Sequence, residues 1–425
     1  MRVVVVGAGA IGCLLGGLLA AGGHPVVLVG RPERLAPVAR EGLLLDPGPA
    51  ARPARSGTGQ PSGPSGPWRV AVAGSTWEAA ALTEPDAVLV TVKAPALPRA
   101  LAQVAATWPA GRGGRPPVVV TFQNGLGAEE QAVSRLGVGR VVAGTVTLSA
   151  ALEGHRVRVY NAGRGGLGLA PVTGVGPGGT AALPGAGADP GEPSSPPAGL
   201  AGAAGAGEPG RALPAGSPPP EGARRAAVLA FRALAHQLQA TLPVPVVTAP
   251  DAATLKWSKV LLNLVGNAVG ALLQWDVGRV FHDPVAAAVE HRSLREAVAV
   301  ARRAAPDLVD LPGYPVRLFT RLVRLLPAPL FRRTVGPRAA GGRGGKLPSV
   351  ALDVAAGRHP TEIQALHGAV ARVGAALGCP APVCAALARL VDEAAADPAR
   401  RAWFRDRPDH LLAALRQHGA WPTGG

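Results

Sequence analysis

Lys259, Asn263 and Asn267 recur at intervals of four within Lys256-Trp-Ser-Lys-Val-Leu-Leu-Asn-Leu-Val-Gly-Asn267. Read as part of one helix from Ala252 to Leu273, they share a side and form a polar stripe about 12 Å long. Setting an ammonium and two carboxamides among Val, Leu and Trp is costly unless a partner meets them. The spacing alone also fits the solvent face of an amphipathic helix. Composition favours a working site. Of 43 Lys and Arg residues only four are Lys (93, 256, 259, 346), and the chain has only four Asn (124, 161, 263, 267). Two of each fall in this stretch. Arginine would serve as a generic surface charge, whereas lysine can give up its proton near neutral pH when desolvated. Proton transfer is therefore the chemistry this stretch offers.

A partner for that lysine is available further on. Thr361-Glu362 follows Pro348-Ser349-Val-Ala-Leu-Asp353 and precedes an apolar helical pattern through Gln364 to Leu377. Thr361 can cap that helix, with Glu362 favoured in its first turn by the dipole. The functional reading sets the Glu362 carboxylate across a cleft from Lys259, stabilising the ammonium.

Both groups need a scaffold, and the amino terminus begins it. Arg2-Val-Val-Val-Val6 suits a buried parallel strand. Gly7-Ala8-Gly9-Ala10-Ile11-Gly12 follows at once, then an apolar helical pattern ending at Gly22-Gly23. GxGxxG with a strand before and a helix after is the setting in which it binds a dinucleotide. The first glycine makes the tight turn, the second admits the pyrophosphate, and the third lets helix and strand pack closely. This placement also assigns the apolar start to a fold rather than a leader. The next strand, Val26–Gly30, delivers Arg31 to the adenine-ribose position. Arginine there pairs with the 2′-phosphate of NADP, while Glu33 is the competing candidate for the 2′-hydroxyl of NAD.

Strands at 87–92 and 117–122 end in Lys93 and in Gln123-Asn124-Gly125. Ligands of open parallel sheets bind beyond carboxyl ends, so Lys93 and Asn124 are placed to reach a cofactor or substrate. The bland alternatives are an exposed loop lysine and an ordinary Asn-Gly turn. Further strands are read at 141–147, 156–160 and 244–247, with a helix from Arg224 to about Gln239. Residues 48–67 read as a loop, and 171–222, almost wholly Gly, Ala, Pro, Ser and acidic residues, as a flexible insertion. From Ala249 helical periodicity takes over. The expected organisation is α/β, an N-terminal Rossmann dinucleotide-binding domain (1–248) with a C-terminal all-α domain (249–398), then a basic tail (399–425).

Composition excludes several classes. With 425 residues, 48% of them hydrophobic, there is chain enough for more than one core. Three cysteines without CxxC spacing indicate a reducing, cytoplasmic setting, and nine scattered His give no metal site. The net charge of +16 owes much to Arg317–Lys346, which lacks any nucleic-acid module and reads as a solvated basic face. No apolar run is long enough to span a bilayer. A homodimer is compatible with all of this.

Taken together, Gly7–Gly12, Val92-Lys93-Ala94, Gln123-Asn124-Gly125, Lys256–Asn263 with Asn267, Pro348-Ser349 with Asp353, and Thr361-Glu362-Ile363 resemble the ketopantoate reductase (2-dehydropantoate 2-reductase) family. The likeness covers about 1–170 and 224–395. It implies a Rossmann domain joined to an all-helical domain, with the active site between. It implies Lys259 as proton donor to the substrate carbonyl, with Asn263, Asn267 and Ser349 holding the ketoacid and Glu362 by the nicotinamide. Positions Gly7–Gly12, Arg31, Lys93, Asn124 and Ala150 would touch or border NADP. Where the family often has a second serine and Met-Leu-Gln before the aspartate, this chain has Pro348 and Val350-Ala-Leu352. Val277 stands where some members place a polar substrate contact. The activity expected is NADPH-dependent reduction of 2-dehydropantoate to pantoate, with Lys259 and Glu362 catalytic. The substrate would be a small anionic ketoacid held by Asn124, Lys259, Asn263, Asn267 and Ser349. The alternatives are another 2-ketoacid or ketone, and a non-catalytic NADP-binding regulator.

Overall fold

Four consecutive valines open the sheet: Val3 and Val5 enter the core on one face, Val4 and Val6 the core on the other. A strand buried on both sides has no polar face, which is why it reads as an unbroken β-branched run. The computed structural model describes residues 1–46, 66–110, 116–161, 163–174, 220–341 and 347–422. The expected loop at 48–67 and insertion at 171–222 fall for the most part outside these.

The strands are β1 (Val3–Val6), β2 (Val26–Val29), β3 (Leu44–Asp46), β4 (Ala71–Ala73), β5 (Ala87–Val90), β6 (Val118–Thr121), β7 (Val141–Val146), β8 (Ala150–Glu153), β9 (Arg156–Val159), β10 (Leu167–Pro171) and β11 (Val246–Thr248). Eight form one sheet in the order β11-β10-β7-β6-β5-β1-β2-β4. β4 through β7 run parallel with β1 and β2, while β10 turns antiparallel to β7. The chain travels from β1 outward to β4, then returns to β5 and builds the other way. The switch point thus lies between β1 and β5, where such sheets open a ligand crevice at their carboxyl ends. A small second sheet, β3-β9-β8, stands against the helix that follows β1.

The helices of this half are α1 (Ala10–Ala21), α2 (Pro32–Glu41), α3 (Thr76–Leu82), α4 (Leu97–Thr107), α5 (Ala128–Leu136) and α6 (Glu221–Thr241). α1, α2 and α6 bury their apolar stripes on one side of the sheet, and α3, α4 and α5 theirs on the other.

Beyond β11 the described residues are helical: α7 (Ala252–Leu264), α8 (Asn267–Leu273), α9 (Val277–His282), α10 (Pro284–Ala304), α11 (Val316–Leu325), α12 (Ala328–Thr334), α13 (Gly336–Gly341), α14 (Ser349–Ala355), α15 (His367–Ala376), α16 (Pro382–Ala396), α17 (Pro398–Phe404) and α18 (Pro408–Gln417). α10 runs through the middle, touching α7, α9, α11, α15, α16 and α18. Its Leu294 and facing Leu261 and Leu387 are fully buried; truncating any one to Ala costs about 2–5 kcal/mol. Among the described residues, no helix is long and apolar enough to cross a membrane.

Three expectations need correction. The helix read as Ala252–Leu273 is two helices, broken at Val265-Gly266, where Gly266 takes φ +66°. The helix read from Thr361 to Leu377 begins as a separate 3-10 turn, Glu362–Ala365, before α15. The stretch read as a basic tail instead folds: Phe404, Leu411 and Leu415 lie in the helical core. Apolar residues at helical spacing outweigh the arginines between them.

Candidate active site in the cleft between sheet and helices

The glycine turn has the form that a pyrophosphate requires. Gly7 adopts φ +118°, a conformation that side chains resist. A Cβ on Gly12 would strike the Gly7 carbonyl oxygen, so α1 and β1 can pack this closely only with glycine there. At Gly9 a Cβ would meet nothing within 4 Å. That open side leaves room for a ligand over the α1 N-terminus, which carries no side-chain cap and no acidic residue. Thr91, just past β5, secures the turn by donating to the Gly7 carbonyl at 2.8 Å. Arg31 and Glu33, both exposed, sit at the start of α2, one and three residues past Gly30. A Cβ on Gly30 would lie 2.6 Å from that of Ala8, so Arg31 leaves the sheet beside the glycine turn. Ala150 opens β8 and packs half-buried against the core that includes α1. These residues fit a dinucleotide.

On the opposite wall stands α7. Asp251 caps it by accepting from the Thr254 N–H at 2.8 Å. Lys256, Lys259 and Asn263, at spacings of three and four, share a face. The outer two both reach the turn after β6: Lys256 Nζ donates to the Gln123 carbonyl at 3.0 Å, and Asn263 Nδ2 to Asn124 Oδ1 at 3.0 Å. Lys259, half-buried between them, therefore lies on the face of α7 turned toward the carboxyl ends of β5 and β6.

The helix break has a use. Asn267 Nδ2 donates to the Asn263 carbonyl at 3.0 Å, standing in for the backbone bond lost at the kink. The freed Gly266 N–H donates to Glu290 of α10 at 2.7 Å, in a fully buried contact. A Cβ on Gly266 would press on Val277 at 2.8 Å. Asn267 Oδ1 is buried without a partner among the described residues, and an unmet acceptor at this depth suits a ligand donor.

Glu362 completes the row. Asn124 Nδ2 points to its Oε2 at 3.4 Å, so Glu362, Asn124, Asn263 and Asn267 form one polar line across the cleft. Burial pushes the Glu362 carboxyl above its usual range; Asn124 and the Lys93 charge pull it down, while Asp353 adds to the rise. Of the four asparagines, only Asn161 lies elsewhere, bracing the Thr147–Ser149 loop.

Lys93 is committed differently. Its Nζ meets both oxygens of Asp353 at 2.9 Å, bridging the end of β5 to α14, and Arg358 donates to the same carboxylate at 2.9 Å. Asp353 is 8% exposed in its side chain and Lys93 60%. The carboxylate takes two of the three N–H donors of Lys93, which leaves one for a cofactor or substrate. Ser349 is exposed at the first position of α14, which packs on α8. Sequence reasoning missed Thr91, Glu290, Arg358 and the Lys256 contacts. Only Gly266, isolated in a helical pattern, signalled the kink.

Comparison with known proteins decides the family. The family described as ketopantoate reductase PanE/ApbA matches residues 3–174, and its C-terminal counterpart matches residues 251–395. The chain belongs to the ketopantoate reductase family. It is 35% identical over 159 residues to the 2-dehydropantoate 2-reductase of Caulobacter vibrioides, and 29% over 157 residues to that of Pyrococcus horikoshii. These alignments take in 37% and 36% of this chain, and 47% and 42% of the relatives' lengths. The chain thus matches less than half of either curated reductase.

Solved ketopantoate reductase folds align over nearly their whole length. That of Ralstonia eutropha superposes with a TM-score of 0.62 at 24% identity, covering 93% of this chain and 98% of its own. The 2-dehydropantoate 2-reductase of Geobacter metallireducens gives 0.62 at 22%, covering 93% and 100%. D-mandelate dehydrogenase with NADH and anilino(oxo)acetate gives 0.61 at 17%, covering 93% and 98%. At these identities the likeness is one of fold.

Proposed function

We propose that this protein reduces 2-dehydropantoate to (R)-pantoate with NADPH, a step of pantothenate and coenzyme A synthesis, and that Lys259 is the general acid. The observation that carries the reading is the placement of Lys259 between two contacts to the Gln123-Asn124 turn, at the carboxyl ends of strands flanking the switch point.

A bound nicotinamide supplies the hydride to the ketone carbon. Negative charge then develops on the carbonyl oxygen, which needs a proton and a stabilising dipole. The Lys259 ammonium gives that proton and is left as the amine, to be recharged from solvent. Asn263 and Asn267 orient the carboxylate and hydroxyl, the unmet Asn267 Oδ1 accepting from the hydroxyl. Glu362 keeps Asn124 in line. Ser349 and Lys93 receive the anionic end, Lys93 with the third N–H that its bonds to Asp353 leave over. Arg31 selects NADPH through its 2′-phosphate. The protein works in the cytoplasm, on a small-molecule substrate.

A second reading keeps this chemistry and changes the ketoacid. It is favoured by Pro348 and Val350–Leu352 before Asp353, by Val277 against Gly266, and by the fold shared with a D-mandelate dehydrogenase. NADPH oxidation followed by absorbance, with 2-dehydropantoate beside a panel of aliphatic and aromatic 2-ketoacids, separates the two. Preference for 2-dehydropantoate supports the first. Preference for another ketoacid replaces it with the second, and inactivity on all of them removes both.

A further inference from the structure

The second lysine of α7 takes no part in the chemistry just described, yet it is more deeply placed than the first. Lys256 is 3% exposed. Its Nζ pairs with Glu129 Oε1 at 2.9 Å and donates to the Gln123 carbonyl at 3.0 Å. The same Glu129 oxygen accepts from the Thr121 hydroxyl at 2.6 Å, tying it to the last residue of β6. Gln123 is itself clamped: its side-chain amide donates to the carbonyls of Val90 and Val92, at 3.0 Å each, at the end of β5. Glu130, beside the pair, is held above the usual carboxylate range by burial and by the Glu129 charge.

The same turn continues into the helical half by a second route. The Leu126 N–H donates to the Ala365 carbonyl at 3.0 Å, on the short turn that carries Glu362. Residues 123–126 therefore join β5, β6, α7 and the Glu362 turn. Along α7 the contacts fall at Lys256 and Asn263, and Lys259 lies between them. A slide of α7 by one residue, about 1.5 Å, would break both and carry Lys259 with it. A compact ammonium with three donors satisfies two acceptors in so small a space, where the planar guanidinium abundant elsewhere in this chain would not.

We infer that Lys256, paired with Glu129, is a positioning residue that sets the register of Lys259 against the carboxyl ends of β5 and β6. This rests on Lys259 as the proton donor. A pair that merely stabilised the fold would affect melting and leave the hydride step of a folded variant unchanged.

The test uses the full chain as wild type, Lys259→Ala, Lys256→Met and Lys256→Met/Glu129→Gln. The single Lys256 variant strands a buried carboxylate and can fail to fold; the double variant removes both charges and keeps the measurement available. Three quantities are read: the NADPH Kd by fluorescence titration, the single-turnover rate of NADPH oxidation with the ketoacid the wild type prefers, and amide exchange over residues 123–126. In the double variant the NADPH Kd stays within about threefold while hydride transfer slows by about ten- to a hundredfold, the scale of an ångström-size misplacement. Exchange over 123–126 quickens by about tenfold as the turn loses its anchor. A folded double variant with wild-type hydride transfer and unchanged exchange overturns the inference. If Lys259→Ala is slow and the double variant fast, only the positioning role falls. If Lys259→Ala keeps the wild-type rate, the proton-donor reading falls, and with it the role of Lys256 in catalysis; exchange then shows whether the pair still anchors the turn.

Discussion

Arg31→Ala tests the proposed basis of cofactor choice. Arg31 is exposed at the start of α2 and makes no side-chain cap bond, so its loss should change stability by no more than about 0.5 kcal/mol. Its position beside the glycine turn is fixed by the backbone, because Gly30 backs directly onto Ala8. If Arg31 binds NADPH as proposed, the variant loses a charge-assisted contact with the 2′-phosphate, worth about 1.5–3 kcal/mol. Exposure to solvent places it near the lower end, about 1.5–2 kcal/mol. That corresponds to about ten- to thirtyfold in the NADPH Kd. NADH has no 2′-phosphate, so its Kd should move by less than about twofold on the same principle. Fluorescence titration of both cofactors, at low and raised ionic strength, reads the split directly, and salt should narrow it. Equal weakening of NADPH and NADH would refute the reasoning. A silent Arg31→Ala beside a Glu33→Ala that loses NADH would assign the site to NAD.

Two further predictions concern pH. Burial holds the Glu362 carboxyl above its ordinary 4.5, so the folded protein keeps a proton that the unfolded chain has released. Its contribution to stability is complete below about pH 4.5 and is lost as pH rises through the folded value. Glu362→Gln does not titrate, so the melting temperature of the variant minus that of wild type should grow more positive as pH rises above about 4.5; a constant difference would contradict this. His367 is fully buried, with neither ring nitrogen partnered among the described residues, and burial pulls it from 6.5 down to about 3. Here the unfolded chain takes up the proton first, so stability falls as pH drops below 6.5, by about 3 kcal/mol between pH 7 and pH 4. Urea unfolding of His367→Leu should lack that acid loss; an unchanged slope would show that the ring is reached by water.

The parts of the fold that a local pattern determines were legible in the chain. Val3–Val6 followed by Gly7, Gly9 and Gly12 specify strand, turn and helix through sterics alone, and β5 and β6 read as unbroken apolar runs because both their faces are covered. The short strands β3, β4, β8 and β10 were not legible. Ala71–Ala73 and Leu167–Pro171 owe their strand character to neighbours in the sheet, and their own side chains carry little β preference. Residue types and spacing singled out Lys259, Asn263 and Asn267, because Lys and Asn are scarce here; Glu362 was legible only as a carboxylate opening a helical pattern. Which of two lysines on one helical face is buried against a carboxylate depends on Glu129, more than a hundred residues away in sequence, and periodicity carries no such information. The partner of Lys93 was hidden in the same way: Asp353 lies 260 residues on. The kink at Gly266 hinges on Glu290, a helix away.

The most direct test of the account is turnover of Lys259→Ala with NADPH and the preferred 2-ketoacid, after cofactor titration has shown that the variant still binds NADPH. Loss of the proton donor should lower kcat by about 10² to 10⁴ while the NADPH Kd stays near that of wild type. A variant that binds NADPH and turns over at the wild-type rate would contradict the assignment of Lys259 and the mechanism built on it.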